Sequence, residues 1–294
     1  MPLSQDQLEA FAAVARAGTF TRAATALHLS QPALSRRITG LEERLETTLL
    51  VRGRGGATLT DAGQRLLEFV EAQQSLEDEL VGDLSPSPVS LRGIVRISGL
   101  SSLVPQVVLP ALAPLLRDQP AVQLEVHRNV DRRVVEAIAV GAADYGLSQA
   151  ASDAHGIVDV RLGDEEFVLV ESRDHTTRRD VFLDVNPNDT TTERFLAAQP
   201  ARLRPRGRLL RSFMHDELGI LLGVEQGLGR AVKPRHTITA GARVRIDPRF
   251  VSLLEPVFLH YRRHRYYGRL HEAITTRIES AVRERLATRS PRRR

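Results

Sequence analysis

The stretch that constrains this fold most is residues 20–45, where two helical patterns are joined by a tight turn. Ser30 is a candidate N-cap, and Pro32 falls in the first helical turn, where the missing N–H would have had no intrahelical partner. Apolar residues then recur at steps of four, three and four: Leu34, Ile38, Leu41 and Leu45. This spacing predicts a helix with one buried stripe. Together with the shorter helix before it, this helix has the sequence pattern of a helix-turn-helix.

The opposite face of the second helix is small, polar and cationic, so it can approach the edges of DNA bases closely. At 100° per residue that face carries Pro32, Ser35, Arg36 and Thr39, with Ala33 and Arg37 on its flanks. Residues at the starts of the two helices complete the candidate DNA-binding set in this stretch: Thr21, Arg22, Ser30 and Gln31. The alternative is an ordinary amphipathic helix pair in an unrelated core, because surface arginines on helices are common.

A glycine-rich hairpin is predicted after the helix pair. Residues 47–59 hold short β-prone runs around Arg52-Gly53-Arg54-Gly55-Gly56, with glycines for positive φ at the tip. If this hairpin is the wing of a winged helix-turn-helix, Arg52 and Arg54 meet phosphate or enter the minor groove. A solvated hairpin tip without DNA contact is the alternative.

Two more helices flank this region. The first is predicted to begin with a capping box of Ser4 and Gln7 and to stop at Gly18. The second, capped by Thr60, runs from 60 to 84 and would extend ~36 Å. Its seam is narrow: Leu66, Phe69, Val70, Gln73, Leu76, Leu80 and Leu84. Such a stripe predicts pairing with a second copy of the chain, and packing on its own C-terminal part is the alternative.

Charge is distributed unevenly along the chain. Residues 1–60 carry seven arginines and five acidic residues, a net +2, whereas residues 61–84 come to −6 and residues 261–294 to +8. The DNA hypothesis therefore depends on where individual arginines lie and not on bulk charge. The acidic surface of the 60–84 helix should repel DNA and keep the duplex at the winged domains.

The remainder of the chain alternates between strand and helix patterns after a Ser-Pro-Ser-Pro linker at 85–88. Strands are predicted at 94–97, 122–126 and 144–148, with helices at 103–117 and 130–140 between them. A second unit follows, with strands at 167–170, 181–185, near 231 and at 257–261, and helices at 215–226 and 267–286. This order predicts parallel sheet with helices on both faces. The arginine-rich tail at 289–294 is expected to be disordered.

Several short motifs occur in one register: Arg16-Ala17-Gly18-Thr19-Phe20-Thr21-Arg22-Ala23-Ala24, Leu29-Ser30-Gln31-Pro32-Ala33-Leu34-Ser35-Arg36, Leu41-Glu42 and Leu59-Thr60-Asp61-Ala62-Gly63. Together they resemble the N-terminal domain of the LysR-type transcriptional regulators. The resemblance is dense over residues 1–66 and continues in layout beyond them. One departure is Leu50, where the family usually has Phe, and this change concerns core packing more than DNA contact.

The resemblance implies an α/β protein with an N-terminal winged helix-turn-helix, a long linker helix and a two-lobed, periplasmic-binding-protein-like α/β effector domain. We divide the chain accordingly into a DNA-binding domain at 1–60, a linker and dimerisation helix with hinge at 61–88, and an effector-binding domain at 89–294. Lobe one comprises 89–162 and 267–294, and lobe two comprises 163–266. The family implies a homodimer and, through the lobes, a homotetramer that binds an inverted-repeat operator in double-stranded DNA. RNA polymerase is a further partner that such a regulator could contact.

A small-molecule effector, most naturally an anion, would bind where strands end and helix N-termini begin. Ser101 and Ser102 follow the first strand of lobe one, and the family commonly places a Ser or Thr of its effector pocket at this position. Thr190, Thr191 and Thr192 lie between a strand and a helix of lobe two, where Thr190 and Glu193 have capping-box spacing, and Asn129 is a weaker addition. These hydroxyls could instead serve only as helix caps.

Other functional classes are less well supported. The chain has no cysteine, and His260 and His264 flank two arginines, so no metal site is predicted. Asp164, Glu165 and Glu166 form an acidic cluster that we interpret as a solvated hinge. No cofactor loop and no Gly-x-Ser-x-Gly elbow is present, so we expect no cofactor and no enzymatic activity.

The location of the protein follows from the same sequence. It has no signal segment and no apolar run long enough for a bilayer, which predicts a cytoplasmic protein without membrane contact. Three rival functions remain. They are a constitutive DNA-binding regulator whose C-terminal domain only oligomerises, a solute-binding protein, and an enzyme with an accessory DNA-binding domain.

Overall fold

The computed structural model describes residues 3–53, 56–84, 91–99, 102–129, 131–205, 209–264 and 266–287. Arg54, Ser101, the predicted linker at 85–88 and the tail at 289–294 lie outside these residues. The chain forms two compact units, which are described separately. The first comprises residues 1–100, 111–160 and 258–279, and the second comprises residues 101–110, 161–257 and 280–294.

Three helices and a hairpin open the first unit. They are α1 (Gln5–Ala17), α2 (Phe20–Ala26), α3 (Gln31–Leu45), β1 (Leu50–Gly53) and β2 (Gly56–Leu59). Their shared core is aliphatic apart from Phe11 and Phe20, and it holds the predicted stripe of α3 together with Leu8, Leu49 and Leu50. Gly18 ends α1 with φ of 68°, as predicted, but the side chain of Ser4 makes no capping hydrogen bond, so the predicted capping box at α1 is wrong.

The winged helix-turn-helix is confirmed, and its hairpin is fixed against the end of α1. Strands β1 and β2 are antiparallel, with Leu50 opposite Leu59. The amide of Ala57 donates to the carbonyl of Gly18 at 2.7 Å. At Gly56, where φ is +128°, an added Cβ would lie 2.2 Å from that same carbonyl oxygen. Glycine is therefore required here by both the backbone conformation and the close approach.

Helix α4 (Asp61–Leu84) begins as predicted, with the amide of Gly63 donating to Oγ1 of Thr60 at 3.0 Å. Its predicted seam is only partly right, because Leu67 and Val70 turn inward and join the core of the N-terminal domain. The residues left outward repeat at steps of seven, four and four: Phe69, Leu76, Leu80 and Leu84, which are 51 %, 51 %, 58 % and 76 % exposed. Helix α4 thus has one face used within its own domain and a second apolar face that remains exposed.

The α/β part of the first unit contains β3 (Gly93–Gly99), β4 (Val122–Arg128), β5 (Tyr145–Ser148) and the end of β11 (Leu253–Arg262), with α6 (Asp131–Ala139) and the start of α9 (Arg269–Ala287). Helix α5 (Leu109–Asp118) follows a π-helical turn at Val104–Val108. Strand β3 is parallel to both β4 and β5, as predicted, whereas β11 is antiparallel to β5.

The second unit contains most of β6 (Ile157–Ser172), then β7 (Val181–Asp184), α7 (Thr191–Ala197), β8 (Leu210–Phe213), α8 (Glu217–Glu225), β9 (Ala231–Pro234) and β10 (Val244–Ile246). Strand β6 pairs antiparallel with β9 and β10, so the prediction of parallel sheet is wrong for this sheet. Strands β7 and β8 are parallel to each other, and Phe182 of β7 also forms a parallel bridge with Arg230. Strands β8 and β10 were not predicted. Both are short, which leaves little periodicity to detect.

Candidate nucleic-acid interface and effector site

Helix α3 has the two faces that the sequence predicted. Leu34, Ile38 and Leu41 are no more than 1 % exposed, so they fix the helix from behind. Oγ of Ser30 accepts a hydrogen bond from the amide of Ala33 at 3.3 Å and caps the helix. The opposite face is therefore presented by a rigid element, which a base-reading surface requires.

The predicted DNA-binding residues that the structure describes differ in how exposed they are. Most are exposed: Thr21, Arg22, Ser30, Gln31, Pro32, Arg36, Thr39 and Arg52. Three are half-buried: Ala33, Ser35 and Arg37. Arg37 also forms an ion pair within the domain, since its Nη2 lies 3.2 Å from Oδ2 of Asp6 on α1.

Arg22 and Arg36 are the arginines of this surface with the greatest freedom to bind a ligand. Among the described residues, neither guanidinium has a hydrogen-bond or ion-pair partner. A guanidinium that offers five donors and has no internal acceptor suits phosphate oxygens or the O6 and N7 atoms of guanine. This surface can therefore read a nucleic acid without first breaking an internal contact.

Arg52, for which the sequence predicts a phosphate or minor-groove contact, also makes two contacts within its own chain. Its Nη2 donates to Oγ of Ser35 on α3 at 2.9 Å, and its guanidinium carbon lies 4.1 Å from the ring centroid of Phe20. Both contacts join the wing to the two helices of the helix-turn-helix. Arg52 thus positions the wing, and its remaining donors are free to meet a phosphate.

Ser102 is not a free hydroxyl. It is 6 % exposed, and its Oγ donates to Oε1 of Glu165 at 3.0 Å. Glu165 is fully buried, and Nε2 of His236 lies 2.7 Å from the same oxygen. The interpretation of Glu165 as part of a solvated hinge is therefore wrong. Glu166 is not free either, since it accepts two hydrogen bonds from Arg235.

The threonine cluster at the start of α7 is partly engaged as well. Thr190 makes no side-chain capping hydrogen bond, so the predicted capping box is wrong; Oδ1 of Asp189 instead accepts from the amide of Thr191 at 2.9 Å. Thr192 is fully buried and donates to Oδ1 of Asp184 at 2.6 Å. Burial raises the pKa of Asp184, and hydrogen bonds from Thr192 and Arg211 act in the opposite direction.

Asn129 belongs to the first unit, whereas Ser102 and the threonines belong to the second. Its Nδ2 donates to Oγ of Ser98 at 2.9 Å, at the carboxyl ends of β4 and β3. This is the edge of a parallel sheet at which ligands commonly bind.

Sequence reasoning missed a buried chain of hydrogen bonds in the first unit. Oγ of Ser148 lies 2.7 Å from Nε2 of His260, whose Nδ1 lies 2.7 Å from Oδ1 of Asp159. Although burial opposes it, hydrogen bonds from Ser152 and His260 hold the pKa of Asp159 below its ordinary value. Ser148 and His260 are fully buried, and Ser148 also donates to the carbonyl of Ala150, so this serine is not presented to a substrate as a nucleophile. The three residues are far apart in sequence, and no local pattern could have joined them.

Within the described part of the chain, no three His, Cys, Asp or Glu side chains are grouped so that they could hold a metal ion. A search of the same residues also finds no helix with the length and hydropathy needed to cross a membrane.

Comparison with known proteins extends these observations. The family model described as "Bacterial regulatory helix-turn-helix protein, lysR family" matches residues 5–64, and that described as "LysR substrate binding domain" matches residues 89–283. A probable HTH-type transcriptional regulator, LrrA, of Synechococcus elongatus is 30 % identical over 238 residues, which cover 78 % of this chain and 80 % of the relative. A probable hydrogen peroxide-inducible genes activator of Streptomyces viridosporus is 34 % identical over 170 residues, so the match covers 58 % of this chain and about half (54 %) of that relative.

Among solved structures, full-length LysG of Corynebacterium glutamicum with bound effector Arg is similar in fold. The TM-score is 0.70 at 19 % identity, covering 96 % of this chain and 98 % of LysG. This likeness concerns the fold, and it extends over almost the whole of both chains.

Proposed function

Because the chain belongs to the LysR family of bacterial transcriptional regulators, we propose that it binds an inverted-repeat operator as a homo-oligomer and responds to a small-molecule effector. In this proposal α3 enters the major groove and the wing contacts the adjacent backbone. The observation that carries it is the exposed face of α3, where Arg36 has no internal partner among the described residues and three buried apolar residues fix the helix from behind.

The test is a pair of arginine substitutions on the same helix. Arg36→Ala should weaken binding to a selected operator by about 1–3 kcal/mol and relax the sequence preference if this side chain reads a base. Arg44→Ala is the matched control, because Arg44 is also exposed on α3 but lies in its last turn. Operators would be selected from random DNA with the full chain, and affinities measured by fluorescence anisotropy. If Arg36→Ala binds operator and random DNA as the parent does, Arg36 is not a base-reading residue.

The exposed face of α4 supports dimerisation. Phe69, Leu76, Leu80 and Leu84 form a stripe at near-heptad spacing that no described residue of the same chain covers. Two copies of α4 packed along this stripe would bury it and present two α3 helices to the two halves of a palindrome. Exposed apolar side chains on α8, namely Leu218 and Leu222, support a second interface, which would build a homotetramer through the effector domains.

For the effector we propose an anionic small molecule, with Ser101, Ser102, Asn129, Thr190, Thr191 and Thr192 as its candidate ligands. Within the first unit the carboxyl-edge position of Asn129 supports its candidacy, and within the second unit the exposure of Thr190 supports that of Thr190. Replacing Ser101 and Ser102 together by alanine should abolish the effector response and leave operator affinity intact. An unchanged response would remove these hydroxyls from the site. Such a regulator would act on DNA in the cytoplasm, where it could also contact RNA polymerase.

One observation favours a second candidate function, a constitutive regulator whose C-terminal domain only oligomerises. The hydroxyls of Ser102 and Thr192 already have buried carboxylate partners, Glu165 and Asp184, so neither requires a ligand. Calorimetric screening of metabolites against the full chain and against the double alanine variant at Ser101 and Ser102 separates the two candidates, because a constitutive regulator would give no saturable heat that the double substitution removes.

A further inference from the structure

A cavity of about 490 Å³ lies wholly within the first unit, and none of the proposed effector ligands lines it. One side is formed by Arg16 of α1 and by α4 from Glu71 to Glu79. The other side is formed by the start of β3, by Asp144 and Tyr145, and by residues 261–271 between β11 and α9. The cavity is therefore bounded by both the DNA-binding domain with its long helix and the α/β part of the same unit.

The wall facing α4 is aromatic. All four tyrosines of the chain line this cavity, with two histidines: Tyr145, Tyr261, Tyr266, Tyr267, His264 and His271. The ring of Tyr267 stacks on that of His271 with 4.3 Å between centroids, and Tyr261 meets the same imidazole edge-on at 4.8 Å. In a chain with only 4 % aromatic residues and largely aliphatic cores, this concentration marks a surface suited to a planar ring.

The histidines contribute rings but no charge to this wall at neutral pH. Burial lowers the pKa of His264 to about 4, and the Arg262 charge acts in the same direction. Burial likewise lowers the pKa of His271 to about 4. Near neutral pH both imidazoles are therefore uncharged, and the charge of the cavity is set by its arginines and carboxylates.

Three guanidinium groups converge on the inner end of the cavity. The side chains of Arg16, Arg96 and Arg262 are 27 %, 20 % and 5 % exposed. Arg16 and Arg262 approach Glu71, whereas Arg96 lies 3.2 Å from Glu125 and 4.0 Å from Asp144. Burial lowers the pKa of Arg16, and the charges of Arg96 and Arg262 oppose the raising effect of Glu71. The three arginines thus have three carboxylate partners, of which Glu71 and Asp144 line the cavity and Glu125 does not.

One donor there lacks an acceptor. Nη1 of Arg262 is buried and lies 3.1 Å from Oε2 of Glu71, but it makes no hydrogen bond with any described residue. A buried donor without an acceptor is costly, and an oxyanion placed between the arginines would accept from it. An ammonium group would meet three guanidinium charges at the same place.

We propose that this cavity is a second ligand site, which binds a small planar aromatic monoanion with its ring against Tyr261, Tyr267 and His271. The carboxylate of the ligand would reach Arg262 and Arg16 and compete with Glu71 for them. Since Glu71 belongs to α4 and Arg262 to β11, such a ligand would alter the contact that joins the long helix to the α/β part of the unit. The site is independent of the proposed effector site.

The binding test uses three compounds that separate ring from charge. Phenylacetate has an aromatic ring and an anion, cyclohexylacetate keeps the anion without the aromatic face, and phenethylamine keeps the ring with a cation. Isothermal titration of the full chain should give phenylacetate a Kd of about 1 mM or lower, with each control at least about tenfold weaker. Equal affinity for either control, or no saturable binding of phenylacetate, would overturn the proposal.

The location test uses variants at the cavity and away from it. Tyr267→Leu should weaken phenylacetate about tenfold, whereas Tyr267→Phe, which keeps the ring, should stay within about threefold of the parent. Tyr266→Leu removes another ring of the cavity lining and should also weaken phenylacetate binding. Because Tyr266 is 37 % exposed, this variant should still fold. Ser102→Ala should bind phenylacetate as the parent does. Binding that survives both leucine variants, or that Ser102→Ala abolishes, would place the ligand elsewhere and refute this site, whatever the operator-binding result.

Discussion

Replacing Arg52 with alanine tests whether the wing is positioned by an internal contact before DNA is bound. The substitution removes the hydrogen bond to Ser35 at 2.9 Å and the guanidinium contact over the Phe20 ring at 4.1 Å. An exposed hydrogen bond contributes about 0.5–1.5 kcal/mol, and an exposed cation–π contact about 0.5–1 kcal/mol. Arg52→Ala should therefore lower the free energy of opening of the wing by roughly 1–2.5 kcal/mol.

Amide hydrogen exchange of β1 and β2 measures that opening locally, which matters because the chain has several cooperative parts. Ser35→Ala removes only the hydrogen bond and should produce about half of the effect. Arg44→Ala, which removes an exposed arginine of α3 without these contacts, should leave exchange in the wing unchanged.

The same variants separate positioning from phosphate contact. If Arg52 also meets a phosphate, the slope of log K against log salt should become shallower by about 0.9 for Arg52→Ala and should not change for Ser35→Ala. Positioning would be refuted if Arg52→Ala exchanged its wing amides no faster than Arg44→Ala. A changed salt slope with unchanged exchange would make Arg52 a phosphate ligand only.

Three further results are expected. Leu80→Arg places a charge in the exposed stripe of α4 and should shift sedimentation equilibrium toward monomer, and an unchanged mass would exclude this stripe from the interface. Glu71→Gln leaves the buried Arg262 without its carboxylate and should lower the free energy of unfolding by about 3 kcal/mol, measured in thermal melts. The control Glu77→Gln, on the exposed side of the same helix, should lower it by less than about 0.5 kcal/mol. His264 and His271 have pKa values of about 4 in the folded chain, so the unfolded chain binds more protons than the folded chain below pH ~6.5. The stability that these two histidines contribute is therefore complete above pH ~6.5 and is lost as the pH falls toward about 4. Replacing both by glutamine should flatten the acid limb of stability against pH, and a limb as steep as the parent's would contradict these pKa values.

The sequence alone was sufficient for features that depend on neighbours along the chain. The stripe Leu34, Ile38 and Leu41 predicted both the burial of α3 and the exposure of its opposite face, because helical periodicity fixes which side chains share a side. Gly18 and Thr60 were assigned correctly as a helix stop and a helix cap for the same reason.

What could not be predicted depends on residues that meet across the fold. Glu165 seemed solvated in sequence but is fully buried, because Ser102 and His236 reach it from other segments. Both predicted capping boxes failed, because neither Ser4 nor Thr190 makes a side-chain capping hydrogen bond; at α7 the carboxylate of Asp189 accepts from the amide of Thr191. A spacing rule identifies groups that can bond, and the tertiary fold decides which of them do.

The acidic character of α4 shows how the same limit applies to charge. Read from sequence, a net −6 over residues 61–84 suggested a surface that repels DNA. In the structure Glu71 approaches Arg16 and Arg262, and Glu79 approaches Arg269 at 3.1 Å, so both acids face arginines of the same unit. Part of the negative charge of segment 61–84 is thus countered by Arg262 and Arg269, which belong to the same unit. A substitution of Arg262 on β11 or of Arg269 at the start of α9 would therefore remove a contact to α4. The same helix carries the exposed stripe through which two DNA-binding domains are proposed to pair.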